Sequence, residues 1–131
     1  MEIEFNGHSY KLRPSFGAAR EIEAMPNGLS IEELVVIHQR SIESRQERGG
    51  LSYEEVAGIL FAGMRAAGVA NASYGAVGDA VFEMRKTHPY IQHKVMEFLV
   101  ALLWAPDHAK KLMAVMFPPQ DHGGGESDPL T

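Results

Sequence analysis

The chain contains no cysteine among its 131 residues. This absence excludes a disulfide framework, a thiolate zinc site and a cysteine nucleophile, so the fold must be stabilised by packing alone. Such a composition suits a reducing compartment, and we therefore expect a cytoplasmic protein.

Basic residues are also scarce. Lys and Arg number 12 against 17 Asp and Glu, which gives a net charge of −5. A protein that binds nucleic acid usually needs positive potential to attract the phosphate backbone. The charge therefore argues against DNA or RNA as a ligand, and against a small DNA-binding regulator.

Long hydrophobic runs are missing as well. The longest apolar stretch, "VMEFLVALLWA" at residues 95–105, contains Glu97 and ends before Pro106. It is well short of the roughly 20 residues that span a bilayer. The first residues lack the basic and apolar regions of a secretory signal. We therefore expect neither membrane association nor secretion.

The apolar content is nevertheless sufficient for a core. Hydrophobic residues make up 45% of the chain, which fits one globular domain of this length. The last residues, "PPQDHGGGESDPLT", have no apolar periodicity and cannot bury enough surface to offset the entropy of ordering. We predict a single domain over residues 1–117 and a flexible acidic tail over residues 118–131.

The N-terminus predicts a β-hairpin. Apolar and polar residues alternate on both sides of Asn6-Gly7, a pair that favours the positive φ values of a type I′ turn. A two-residue loop there places Ile3 opposite Tyr10, so that the apolar side chains share one face. These side chains are Met1, Ile3, Phe5, Tyr10 and Leu12.

A passage from strand to helix follows at Leu12, Arg13, Pro14, Ser15 and Phe16. Pro14 cannot donate to a strand ladder, and Ser15 is a good helix N-cap. We predict a helix that begins at Phe16 and ends at the turn residues 26–28, with the Phe16 ring buried between the hairpin and later helices.

Two similar hexapeptides, "LSIEEL" at 29–34 and "LSYEEV" at 51–56, predict the next helix starts. Each fits a capping box, with Ser30 paired to Glu33 and Ser52 paired to Glu55. An apolar stripe at helical spacing follows each box. The stripes are Ile31, Leu34, Val35, His38 and Ile42 in the first helix, and Val56, Ile59, Leu60, Gly63, Met64 and Ala67 in the second.

The second half of the chain predicts three further helices, over 77–84, 91–104 and 109–116, with Pro89 and Pro106 between them. The predicted fold class is therefore mainly α, a small bundle of about five to six helices with an N-terminal β-hairpin.

Few residues suggest chemistry. His93 and Glu97 could share a helix face as metal ligands, but two ligands do not make a site, and a surface contact is the better interpretation. His38 lies on an apolar stripe and is interpreted as a core histidine rather than a catalytic base. The glycines of residues 68–78 lack the lysine of a phosphate-binding loop. We expect no catalytic residue, no metal and no cofactor.

The segment 95–104 is apolar on nearly every face, since Glu97 is its one polar residue. Such a helix forms either the centre of the core or, with methionine-rich neighbours, an adaptable surface for a partner, because methionine repacks easily. The candidate partner-binding residues are Met96, Leu99, Leu103, Trp104, Met113, Met116 and Phe117.

Two stretches carry a family resemblance over roughly residues 5–104. The segment "YKLRPSFGAAREIEAM", which contains residues 12–16 and 21–23 of the signature, resembles the start of the small tail assembly chaperones of gene transfer agents and related long-tailed prophages. The segment "EEVAGILFAGMRAAG" at 54–68 resembles the next helix of that family. The "THPYIQH" stretch at 87–93, the helix after Pro106 and the glycine-rich tail extend beyond its compact members.

The resemblance implies a non-enzymatic protein that binds the tape-measure protein, keeps it soluble and leaves when the tail tube polymerises. The resemblance also implies the tail tube protein as a second partner, and it is compatible with a homo-oligomer. The protein would be cytoplasmic and absent from the mature particle. Related chaperones are often extended by ribosomal frameshifting, which directs attention to the "GGGES" segment. A structural head-tail or tail-tube component of the particle is the alternative.

Overall fold

The computed structural model describes residues 1–44 and 50–118, which form a two-stranded hairpin followed by six helices. This architecture confirms the predicted fold class. Of the predicted tail only Pro118 is described, and residues 45–49 after the second helix also lie outside the described part. The elements are β1 (Glu2–Phe5), β2 (His8–Lys11), α1 (Phe16–Glu23), α2 (Ile31–Ser44), α3 (Tyr53–Ala66), α4 (Tyr74–Met84), α5 (Pro89–Leu103) and α6 (Pro106–Met116).

The hairpin has the predicted register, with Ile3 opposite Tyr10. Asn6 and Gly7 both have positive φ, 52° and 78°, as a type I′ turn requires. The pairing extends beyond the strands, because the Leu12 amide donates to the Met1 carbonyl at 2.8 Å. The face formed by Ile3 and Leu12 is buried against the helices.

The hairpin is attached to the helices by one hydrogen bond from β1 and one from the segment that follows β2. The amide of Arg13 donates to the carbonyl of Gly63 in α3 at 3.0 Å. The amide of Glu4, on β1, donates to the Tyr90 hydroxyl of α5 at 2.9 Å. The two stretches that carry the family resemblance therefore meet at Gly63.

Helix α1 begins at Phe16, as predicted, and the Ser15 hydroxyl accepts from the Ala18 amide at 3.1 Å. The predicted burial of Phe16 is wrong, because its ring is 78% exposed. The buried residues of α1 are Ala18 and Ile22. Two residues rotate a helix by about 200°, so position 16 lies on the face opposite Ala18.

Both predicted capping boxes are present. The Ser30 hydroxyl accepts from the Glu33 amide at 3.1 Å, and the Glu33 carboxylate accepts from the Ser30 amide at 2.9 Å. Ser52 and Glu55 form the same pair at 3.0 and 2.8 Å. The stripes that follow these caps face the core, with only their last members half-buried.

Helices α3 and α5 form the centre of the bundle. Helix α3 packs against α1 and α4, while α2 and α6 pack against α5. The side chains of α5 are buried along most of its length: Ile91, Val95, Met96, Phe98, Leu99 and Val100. Helix α6 therefore lies at the edge of the bundle, with α5 as its main neighbour. Part of the α5 surface remains uncovered between α6 and the N-terminus.

Candidate functional site

The predicted partner-binding residues divide between core and surface. Met96 and Leu99 are 0% exposed and belong to the central core, so they cannot contact a partner in this fold. Because α5 has apolar residues on several faces, their spacing could not show that Met96 and Leu99 are buried. Leu103 and Met116 are half-buried and pack against the same core.

An open groove of about 590 Å³ lies between α5, α6 and the start of the chain. We call it the α5–α6 groove. It is lined by Met1, Pro14, Glu97, Ala101, Trp104, Pro106, Ala109, Lys110 and Met113. Two of the predicted residues, Trp104 and Met113, therefore line one surface. The contributions of Met1 and Pro14 have no signal in the local sequence, because they come from the opposite end of the chain.

The turn between the two helices shapes this groove. Trp104 ends α5 with extended backbone, φ −130° and ψ 155°, and Ala105 continues extended before Pro106 starts α6. Proline suits this first helical position because its missing N–H would have no partner in the helix. Trp104, at this junction, is 38% exposed and lines the groove.

Helix α6 approaches α5 through a small residue. Ala109 is its buried position, and a methyl side chain there allows the two helices to lie close together. Met113 follows one turn later on the same side and is half-buried, so its flexible thioether forms part of the groove wall. Phe117 does not line the groove, and its ring packs edge-on against His93 with centroids 4.8 Å apart.

Two charged residues border the apolar surface. The Glu97 carboxylate pairs with the Lys94 ammonium at 3.2 Å, and both side chains are largely shielded from solvent. Lys110 is exposed on α6. The lining therefore combines apolar side chains with one carboxylate that is paired within the chain and one exposed lysine.

The residues considered for chemistry have structural surroundings. His38 is 4% exposed, and its Nε2 lies 2.9 Å from the Gln92 carbonyl, which makes it a core histidine that links α2 to α5. Burial lowers the pKa of His38, so the neutral ring that donates from Nε2 is favoured. Within residues 1–44 and 50–118, no three potential metal ligands come together.

No helix in the described part of the chain combines the length and apolar character needed to cross a membrane. No protein-family model, curated protein or solved structure matches this chain.

Proposed function

We propose that this protein is a tail assembly chaperone that holds an apolar segment of a tape-measure protein in the α5–α6 groove. The observation that carries the proposal is the groove itself, which Trp104 and Met113 line together with Met1 and Pro14 from the start of the chain. The proposed activity is binding without chemistry, followed by release when the tail tube assembles.

The properties of the groove suit temporary binding. It is open to solvent, so a partner can enter and leave without unfolding of the domain. Its methionine and tryptophan side chains provide a large contact area, and methionine can repack against different apolar sequences. A long tape-measure protein presents many such sequences, and an acidic carrier would keep the complex soluble.

The resemblance at residues 12–16 and 54–68 supplies the class of partner, and the groove supplies a surface for it. The first stretch forms the hairpin-to-helix passage and the second lies in α3, so both have a scaffold role in this fold. The proposed binding surface is formed mainly by the last two helices. Substitutions in this surface therefore test the proposed function without changing the scaffold residues.

The test is co-expression with a candidate tape-measure protein, with the soluble fraction of that partner as the measurement. Met113→Asp places a carboxylate in the groove, and we expect the soluble fraction to fall severalfold because transfer of a carboxylate from water into an apolar contact is costly. Val115→Asp is the matched control, since Val115 lies on the same helix and is 78% exposed away from the groove residues. It should protect the partner as well as the wild type does.

Circular dichroism shows whether each variant is folded, and Trp104→Ala gives a second groove variant that introduces no charge. Equal protection by the wild type and both groove variants would contradict the groove assignment. A wild type that gives no protection, together with a fixed copy number of this protein in purified particles, would favour the structural alternative.

A further inference from the structure

The charges at the α5–α6 groove are unevenly paired. Side-chain ion pairs among the described residues include Arg65 with Glu21 and Lys94 with Glu97. Lys110 takes part in neither pair, although Asp107 lies one turn before it on the same helix. In a protein of net charge −5, this groove therefore has an internally neutralised carboxylate and an available ammonium.

The walls of the groove also limit the backbone conformation of an occupant. Most of the lining residues lie on or next to α5 and α6, whose backbone groups are hydrogen-bonded within each helix except at the ends. The other two, Met1 and Pro14, lie outside β1 and β2. The amine and carbonyl of Met1 are already paired with Leu12, and Pro14 has no N–H, so the groove offers no strand edge for an extended segment to pair with. An occupant must satisfy its own backbone hydrogen bonds, which an α-helix does and an isolated strand does not.

The position of Lys110 then determines which side chains suit that helix. A purely apolar helix would cover the ammonium and remove its water without a compensating partner, and a basic helix would add repulsion. A carboxylate at the edge of the apolar face would form a hydrogen-bonded ion pair with Lys110 instead.

We infer that the α5–α6 groove selects an amphipathic helix that buries apolar side chains against Trp104 and Met113 and places a carboxylate beside Lys110. This inference rests on the proposed function and specifies the chemistry of the tape-measure segment. The apolar contacts provide most of the binding free energy, and the carboxylate determines which amphipathic helices bind most tightly.

The position of Trp104 makes the inference measurable, because it is the only tryptophan in the sequence and it lines the groove. The probes are three synthetic amphipathic peptides of about 18 residues, long enough to form a helix in the bound state. They contain no tryptophan and differ only at one position flanking the apolar face, which is Glu, Gln or Lys. The full chain is titrated with each peptide, and the shift of the Trp104 emission reports occupancy.

The wild type should bind the Glu peptide at least about fivefold more tightly than the Gln peptide, and the Lys peptide most weakly. Lys110→Gln should abolish this order. Lys111→Gln is the matched control, because it removes the same charge at the adjacent position, which does not line the groove, and it should keep the order. Lys110→Glu should reverse the preference in favour of the Lys peptide.

Equal affinity of the wild type for the three peptides, or an order unchanged by Lys110→Gln, would overturn the charge selection while leaving the proposed chaperone function to the co-expression test. An unchanged Trp104 emission with every peptide would overturn the inference as well. Self-association of the chain that quenches or shifts Trp104 at the same concentrations would assign the groove to a second copy and would also contradict it.

Discussion

For Phe16, the sequence predicted the secondary structure correctly and the burial of the side chain wrongly. Its position at the first turn of α1 agrees with the Ser15 cap, but the ring faces solvent and lies 5.8 Å from the guanidinium of Arg20. Surface substitutions rarely change stability by more than about 0.5 kcal/mol, and an exposed cation–π contact adds at most about 1 kcal/mol. We therefore expect Phe16→Ala to lower the free energy of unfolding by less than about 1 kcal/mol.

Leu12→Ala is the matched comparison, because Leu12 is 2% exposed in the same passage. Its loss should cost about 2–5 kcal/mol through removed contacts and the cavity left behind. Urea denaturation of both variants measures the two values. A loss above about 2 kcal/mol for Phe16→Ala would mean that the ring is buried in solution.

His38 makes stability depend on pH. Burial lowers its pKa in the folded chain below the ordinary value of 6.5, so at mildly acidic pH the unfolded chain binds a proton that the folded chain does not. Stability from this residue is complete above about pH 6.5 and decreases as the pH falls below it, by at most about 1.4 kcal/mol per pH unit.

His38→Gln removes the titration but retains an N–H donor for the Gln92 carbonyl. We expect the free energy of unfolding, measured with urea between pH 8 and 5.5, to fall less steeply in this variant than in the wild type. The other five histidines contribute to both proteins equally. If the free energies of unfolding of the two proteins changed in parallel with pH, His38 would have the same pKa in the folded and unfolded chain, which would contradict the prediction.

At the scale of elements, α3 approaches the hairpin and α5 at Gly63. A Cβ at this position would lie 2.8 Å from Cζ of Phe98 and 3.1 Å from Cδ2 of Leu12. Gly63→Ala should therefore destabilise the fold by about 1–3 kcal/mol, because both neighbours are fully packed. Thermal denaturation measures the change.

Gly78→Ala is the control for helix propensity. A Cβ there would meet only Cβ of Ala57 at 3.9 Å, an ordinary contact, in the interior of α4. This variant should be more stable than the wild type by up to about 1 kcal/mol, since alanine is the better helix former. Two stabilising substitutions would contradict the close approach of the three elements at Gly63.

The helix starts could be predicted from the sequence because their determinants are local. Ser15, Ser30 and Ser52 each cap a helix within three residues, and the two glutamates of the capping boxes lie in the same turn. The orientation of α5 could not be predicted in the same way. Its apolar residues cover more than one face, so whether Met96 or Trp104 is exposed depends on the helices that pack around it.

At the scale of the whole molecule, the candidate site joins distant parts of the chain. Met1 and Pro14 line the same groove as Met113, about a hundred residues away, and Arg13 is held to Gly63 by a backbone hydrogen bond. Periodicity identified Trp104 and Met113 as candidates because both lie in apolar patterns. It contained no information on the hairpin residues, because their proximity to α6 follows only from the packing of the complete bundle.

The extent of the core leads to a prediction for the end of the chain. Buried apolar residues extend from Ile3 to Ala109, and half-buried ones continue to Phe117. A chain that ends at Pro118 should therefore keep its helical content by circular dichroism and melt within about 2 °C of the full chain, since it retains every one of these contacts.

The control is a chain that ends at Ala105 and so lacks α6. Loss of Ala109, Leu112 and Met113 would expose the side of α5 that they cover, and we expect a drop in melting temperature of several degrees or loss of cooperative unfolding.

The chain that ends at Pro118 should also bind the Glu peptide with the affinity of the full chain, because none of the groove residues has been removed. A marked loss of stability after removal of residues 119–131 alone would mean that this segment packs on the domain, and tighter peptide binding after the same removal would mean that it competes for the α5–α6 groove.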